Sequence, residues 1–93
     1  AVLFIVQEEI HDAEAMKPTR LPPRLAPNRG KLVAVDDSPT IVEGQWHGSR
    51  TVILEFEDEA AFHAWYDSPE YQAAVRLRLA ATDSRSALIH TMA

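Results

Sequence analysis

The carboxylates are the first candidates for chemistry, and Glu55 stands out because it lies within the apolar run VILEF. Burial in such surroundings raises the pKa of a carboxyl toward the range of a general base. We expect Gln7 and Glu9, near the end of the first strand, to lie beside it, and two close carboxylates would share a proton. The alternatives are an ion pair with an arginine and a position that looks out through the end of the barrel.

Four histidines offer further acid–base groups, and His90 is the best placed of them. It shares its phase with Leu88 and Met92 on the last predicted strand, which we expect to face the helices. A satisfied core histidine is the alternative to a proton-transfer role. The remaining histidines are His11, His47 and His63. None shows a ligand spacing such as H-x-x-x-H, and the chain has no cysteine, so we expect no metal site.

Arg50 and several aromatic residues are candidates for ligand binding. Arg50 follows the turn at Trp46 and is able to hold a substrate carboxylate or to pair with Glu43 across the hairpin. The aromatic candidates are Trp46, Phe56, Trp65, Tyr66 and Tyr71. Such residues line pockets for flat ligands, but they also build ordinary cores, and Trp46 near the hairpin end would suit a dimer contact. The three isolated glycines form no phosphate-binding loop, and we expect no cofactor.

Composition limits the classes of function. The 93 residues form a single domain, 1–93, and 46% hydrophobic with 25% charged residues is ordinary for a globular protein. The net charge of −5 and the scattered basic residues argue against nucleic acid as a partner. The apolar run of residues 1–6 is too short for a membrane span and lacks the basic flank of a signal peptide. Without cysteine, a cytoplasmic location is favoured.

Hydrophobic periodicity predicts strands over residues 2–10, 31–36, 50–57 and 87–92, and a further extended stretch over 40–46. The first helix is expected to be short, from the cap at Asp12 to Lys17, before an irregular or kinked segment of prolines that ends at Gly30. The element order is therefore β-α-β-β-α-β.

Two further helices separate the last two strands. Asp58 is expected to cap the helix 59–66, and Ser68 with Pro69 begins a helix that runs to about Ala81. The residues of this last helix that we expect to point inward are Tyr71, Ala74, Val75 and Leu79. They complete the layer that covers one face of the sheet.

This order is typical of a ferredoxin-like α+β protomer with an antiparallel sheet of order 4-1-3-2. We expect its first and third strands to lie side by side at the centre and to run parallel to each other. The face away from the helices would carry Leu3, Ile5, Ile53 and Ile89. An apolar sheet face that a monomer leaves uncovered marks an interface, so the sequence predicts a homodimer in which two sheets meet face to face.

Several motifs resemble those of the domain-of-unknown-function 1330 family, in the dimeric α+β-barrel superfamily. They are Val42-Glu43-Gly44 with Trp46, Arg50 before Val52-Ile53-Leu54-Glu55-Phe56, Ala60-Ala61, Trp65-Tyr66, and Ser68-Pro69-Glu70-Tyr71-Gln72 ending in Arg76-Leu77-Arg78. The resemblance covers essentially the whole chain and implies a protomer that pairs into a barrel, without a generally established activity. Cofactor-free monooxygenases, haem-degrading enzymes, polyketide cyclases and lactone isomerases share the superfamily, so no single reaction carries across. The proline-rich first helix departs from the family pattern.

Together these features predict a small homodimeric protein that binds an apolar or aromatic metabolite between sheet and helices. Cofactor-free cyclisation or isomerisation would use Glu55 or His90 as the base and Arg50 as the anchor. The alternative is a non-catalytic dimeric interaction module, so the sequence leaves open whether the chain is an enzyme. A cavity of roughly several hundred cubic ångströms with a titratable group favours the first interpretation; a core filled by Phe56, Trp65 and Tyr71 favours the second.

Overall fold

The structure, a computed structural model, describes residues 1–17 and 30–92 and the backbone of residues 24–25. The elements in chain order are β1 (Val2–Ile10), α1 (Ala13–Met16), β2 (Arg24–Leu25), β3 (Gly30–Asp36), β4 (Arg50–Phe56), α2 (Glu59–Tyr66), α3 (Pro69–Ala81) and β5 (Thr82–His90). Except for β2 and Gly30, the predicted irregular segment after Lys17 lies outside the described residues. No helix within the described ranges is long and apolar enough to cross a bilayer.

The strands form one sheet in the order β2-β3-β4-β1-β5. Without the two-residue β2 this is the predicted order 4-1-3-2, and the ferredoxin-like α+β fold is confirmed. The prediction that the two central strands run parallel is wrong, because β1 and β4 pair antiparallel, from Val2 opposite Phe56 to Glu8 opposite Arg50. In the split βαβ unit β3 is the parallel partner of β1, and β4 inserts between them in the opposite direction.

Two predicted extended segments differ from the structure. Residues 40–46 form no strand and belong to the loop of residues 37–49, because Gly44 has a φ of +70° and turns the chain away from an extended path. The last strand begins at Thr82 instead of residue 87 and ends at His90. Its polar first half looks like a loop in the sequence, but an edge strand with one face toward solvent tolerates polar residues, and β5 pairs with β1 along its whole length.

Side-chain caps fix where the helices begin, as the sequence predicts. Asp12, Asp58 and Ser68 each accept a hydrogen bond from the backbone N–H three residues later. Each bond satisfies a donor that the first helical turn leaves free. Pro69 follows at the first position of α3, where its fixed φ suits a helix.

The hydrophobic core lies between one face of the sheet and helices α2 and α3. Its buried members are Val2, Phe4, Val6, Leu54, Phe56, Phe62 and Trp65. The ring centroids of Phe4 and Phe62 are 4.9 Å apart, and those of Phe56 and Trp65 are 5.2 Å apart. These rings fill the end of the sheet where Val2 lies opposite Phe56. The other end of the same face, around Glu8, is where the cavity described below is found.

The opposite phase of the sheet, which we call the open face, carries Leu3, Ile5, Ile53, Glu55 and Ile89. Ile5 lies opposite Ile53, and Leu3 lies opposite Ile89. Ile89 is 46% exposed, and the other three aliphatic side chains are half-buried. The apolar surface that the sequence predicts on this face is therefore present in the protomer.

Candidate functional site

A cavity of about 440 Å³ lies between the helix-covered face of the sheet and helices α1 and α3. Its apolar lining comes from Val6, Ile10, Ala13, Met16, Leu32, Val35, Val52, Leu54 and Ala74. Its polar lining comes from Glu8, Glu14, Lys17, Arg50, Tyr71 and Arg78. Small-molecule sites have volumes of roughly 300 to 1,000 Å³, so the cavity is large enough for a compact metabolite.

Glu8 is the buried acid of this cavity. It is 2% exposed because it shares the phase of the apolar β1 residues that face the helices. Burial raises the pKa of its carboxyl, and the positive charges of Arg78 and Arg50 oppose that rise. Glu8 therefore exchanges its proton closer to neutral pH than an ordinary glutamate does, which suits acid–base chemistry.

The loop before β4 fixes the backbone around Glu8. The Ser49 N–H donates to the Glu8 carbonyl oxygen at 3.0 Å. Gly48, with a φ of +75°, lies so close to that carbonyl that a Cβ would clash with it. His47 Nε2 lies 2.8 Å from the carbonyl oxygen of Asp83 and donates to it. The loop thereby contacts both β1, which carries the acid, and its neighbour β5.

Arg78, on α3, is the cation that lies beside this acid. Its Nη1 lies 3.6 Å from Glu8 Oε1, which is an ion pair longer than a hydrogen bond. The residue is only 7% exposed. Its Nε and Nη1 atoms are buried and have no hydrogen-bond partner among the described residues. Thr82 Oγ1 donates to the Arg78 carbonyl oxygen at 2.8 Å and fixes the last turn of α3.

Tyr71 completes the polar end of the cavity. Burial raises the pKa of its phenol, and the charge of Arg78 opposes the rise. Its ring lies against Trp65, with centroids 3.8 Å apart. The hydroxyl therefore stays protonated at neutral pH and is able to donate a hydrogen bond. Glu8, Arg78 and Tyr71 together present an acid, a cation and a neutral donor at the edge of an apolar volume.

Arg50 lies at the same end of the cavity, opposite Glu8 on β4. Its Nε is 2.5 Å from Asp37 Oδ1, so the ion pair is with Asp37 in the loop instead of with Glu43. Residues 40–46 do not form the strand that would have placed Glu43 across a hairpin from Arg50. Arg50 therefore supplies positive charge near Glu8 while being held by a second carboxylate.

The two predicted bases lie away from the cavity. Glu55 is on the open face, opposite Leu3 on β1 and Lys31 on β3. The expectation that Gln7 and Glu9 lie beside Glu55 is wrong, because an antiparallel partner brings the start of β1, not its end, next to the end of β4. His90 lies at the surface, where its Nε2 hydrogen-bonds to Glu59 Oε1 in the first turn of α2, so it is not the core histidine considered above.

The predicted aromatic residues occupy three different places. Tyr71 lines the cavity. Phe56 and Trp65 are buried in the core and are not among the described residues that line the cavity. Trp46 lies in the loop of residues 37–49 and is exposed. Its indole N–H donates to Thr51 Oγ1 at 2.7 Å. The structure thus brings together Arg50 and Tyr71 but not the other predicted residues.

Glu8 and Arg78 were missed by the sequence analysis, although the pattern holds a signal for each. Glu8 is in phase with apolar residues on a strand whose face the helices cover, so the alternation already predicts a buried carboxylate. Arg78 lies seven residues after Tyr71 and four after Ala74, on one helical face with them. Leu79, which we expected to point inward, is 53% exposed.

Within the described ranges, no three His, Asp or Glu side chains gather in an arrangement that could hold a metal ion. His63 Nδ1 lies 3.8 Å from Asp67 Oδ2, on the exposed side of α2.

The fold and the cavity define a ferredoxin-like α+β protein with a pocket between its sheet and its helices. The chain belongs to the family described as a domain of unknown function (DUF1330), whose model matches residues 1–92, and the resemblance seen in the sequence is confirmed. No curated protein matches the chain.

Solved structures that share this fold include the following three. SnoaB, a cofactor-independent oxygenase from Streptomyces nogalater, is 18% identical with a TM-score of 0.62, over 99% of this chain and 93% of that one. A protein of unknown function from Rhodopseudomonas palustris is 21% identical with a TM-score of 0.59, over 99% and 83%. An antibiotic biosynthesis monooxygenase is 17% identical with a TM-score of 0.53, over 100% of both chains. At these identities the likeness concerns the fold alone.

Proposed function

We propose that the chain binds a small apolar or aromatic metabolite in the cavity and that Glu8 transfers a proton to or from it. The observation that carries the proposal is a 2% exposed carboxyl in the lining of a cavity of about 440 Å³. A core that serves packing alone would not need an acid there. Burying a carboxyl costs folding free energy unless the group is paired or takes part in function. The fold that the chain shares with SnoaB, a cofactor-independent oxygenase, supports a search for a small-molecule substrate.

The proposed chemistry is cyclisation or isomerisation by proton transfer. In its ionised form, Glu8 removes a proton from a carbon next to a carbonyl group of the ligand, and the enolate forms. The Tyr71 hydroxyl is placed to donate a hydrogen bond to the enolate oxygen, which stabilises the negative charge. In isomerisation Glu8, now neutral, returns the proton at another position. In cyclisation the enolate carbon instead forms a bond to a second carbonyl carbon of the ligand, whose C=O π bond breaks, and Glu8 gives its proton to the resulting alkoxide. In both cases the protein ends as it began. Arg78 stabilises the ionised form of Glu8 between turnovers.

Ligand binding is tested by thermal shift against a panel of phenols and polyketide-like ketones. A ligand that binds only the native state raises the melting temperature. We expect a rise for at least one aromatic ketone, and the absence of any shift across the panel would count against the cavity as a binding site.

Proton transfer is tested with the ligand that gives the largest shift. In D₂O, we expect the protein to accelerate exchange of the protons next to the ligand carbonyl, as followed by proton NMR. Glu8→Gln should lower that rate by about a hundredfold, since general acid–base catalysis contributes at least this much. Glu9→Gln, an exposed neighbour on the other phase of β1, is the matched control and should leave the rate unchanged. Equal exchange by wild type and Glu8→Gln would refute the role of Glu8.

A second candidate function rests on the open face, which we propose pairs with its counterpart in a second copy of the chain. The exposed Ile89 favours this interface. The exposed Trp46 of the loop adjoins the same face, because it donates to Thr51, which is in phase with Ile53 on β4. A non-catalytic dimeric module would require no site other than this interface. Sedimentation at micromolar concentration should give a dimer for wild type and a monomer for Ile5→Glu. Leu77→Glu, on the exposed side of α3, is the control and should remain a dimer. A wild-type monomer under these conditions would exclude the homodimer.

A further inference from the structure

Arg78 has more hydrogen-bonding capacity than its surroundings use. A guanidinium carries five N–H donors, and the contact with Glu8 at 3.6 Å is too long to be a hydrogen bond. Nε and Nη1 have no partner among the described residues, although the side chain is more than nine-tenths buried. Buried donors are satisfied in the great majority of native proteins, so an unsatisfied buried cation in a cavity wall indicates capacity for a further hydrogen-bond acceptor beyond the described residues.

The other charged groups of the cavity are already paired. Lys17 Nζ lies 3.0 Å from Glu14 Oε2, and Arg50 Nε lies 2.5 Å from Asp37 Oδ1. Only Glu8 and Arg78 are left to balance each other. Whenever Glu8 holds its proton, Arg78 is the one uncompensated charge among these described groups, and the cavity then favours a ligand with a single negative charge.

From this arrangement we infer that the ligand carries an anionic oxygen group, of the carboxylate type, which accepts hydrogen bonds from Arg78. The inference rests on the proposed function and names the polar end of its ligand. Rotation of the guanidinium gives up the long contact with Glu8 and the interaction with the Tyr71 hydroxyl, and it presents N–H groups to the cavity that Arg78 lines. Arginine suits this role because its planar fork matches the two oxygens of a carboxylate. The apolar end of the same ligand would lie against Val6 and Leu54.

The inference is tested with two probes that differ only in charge, 3-phenylpropionate and 3-phenylpropionamide. Binding of each to the wild-type chain is measured by NMR titration, which also follows the Nε–Hε signal of Arg78. We expect the carboxylate to bind at least tenfold more tightly than the amide and to shift the Arg78 signal, which the amide leaves in place. This tenfold difference corresponds to about 1.4 kcal/mol.

Substitutions at Arg78 separate a specific contact from a general effect of charge. Arg78→Lys keeps the charge and loses the planar fork, and Arg78→Met loses both, so carboxylate binding should weaken in that order. Because Arg78→Met leaves Glu8 without a countercharge, the double variant Glu8→Gln/Arg78→Met is measured beside it as a folded, neutral version of the site. Arg76→Met, an exposed position on the same helix, is the matched control and should bind the carboxylate as wild type does.

The outcomes distinguish this inference from the proposed function. If both probes bind in the cavity with equal affinity, or if Arg78→Lys and the double variant bind the carboxylate as tightly as wild type, the anionic group is refuted while the cavity remains a binding site. If neither probe nor any neutral aromatic ligand binds, both the inference and the proposed function fail.

Discussion

Glu8 and Glu55 are the same residue type on the two faces of one sheet, and their surroundings differ completely. Glu8 faces the helices, where burial raises the pKa of its carboxyl and Arg78 lies beside it. Glu55 faces away from the helices and lies opposite Lys31 on the neighbouring strand. An acidic residue in an apolar run is therefore a candidate for chemistry only when its phase directs it to the covered face.

The largest expected effect separates the two faces at adjacent positions of β1. Phe4→Ala removes a buried ring from the core and should lower the free energy of unfolding by about 4 kcal/mol. Ile5→Ala, on the open face, should lower it by only about 1 kcal/mol in a monomer. Urea unfolding of both variants measures the difference. If the open face forms a dimer interface, the loss for Ile5→Ala becomes dependent on protein concentration, and equal losses at high dilution would contradict the contrast between the faces.

The next effect concerns the backbone that holds Glu8. Gly48→Ala should destabilise the fold by about 3 kcal/mol, because the position combines a positive φ with a close approach to the Glu8 carbonyl. Gly44→Ala is the matched control: its φ is also positive, but a Cβ there meets open space. It should lose about 1 kcal/mol in the same unfolding experiment. A smaller loss at Gly48 than at Gly44 would show that the loop does not hold the end of β1.

The third expected effect is the pH dependence that burial gives Glu8. The folded state binds this proton more tightly than the unfolded chain does, because burial raises the pKa of the folded carboxyl above 4.5. The corresponding stabilisation is complete below the unfolded value and is lost as the pH rises through the folded value. The free energy of unfolding of wild type, relative to that of Glu8→Gln, should therefore fall with rising pH. Glu55→Gln controls for the loss of a carboxylate, and a relative stability that grows with pH would contradict the burial of Glu8.

The smallest effect is expected at the ion pair between Arg50 and Asp37, because the Asp37 side chain is mostly exposed. Asp37→Asn should change the free energy of unfolding by about 0.5 kcal/mol or less. Glu57→Gln, at an exposed position without an ion-pair partner among the described residues, is the control. A loss well above 1 kcal/mol would mean that the pair supports the cavity wall as well as the charge of Arg50.

Local patterns in the sequence were sufficient for most of the fold. The caps at Asp12, Asp58 and Ser68 and the alternation along β1 are properties of short segments, and the structure confirms them. The direction of β4 relative to β1 depends on how distant segments cross, and the error there placed Gln7 and Glu9 beside Glu55. Arg78 was missed because a charged residue on a helix is usually assigned to the solvent face. The absence of nucleic-acid and membrane partners, the homodimer and the cytoplasmic location stay predictions.

The position of Glu8 inside β1, rather than in a loop, has a consequence for how this cavity can change. β1 is hydrogen-bonded to β4 on one side and to β5 on the other, so a shift by one residue would expose every buried side chain of the strand. The position of Glu8 is therefore fixed by the hydrogen bonds of the sheet, whereas α1 contributes to the cavity wall through a single short turn. Substitutions in α1 can therefore change the cavity wall, and with it the ligand that fits, while Glu8 keeps its position.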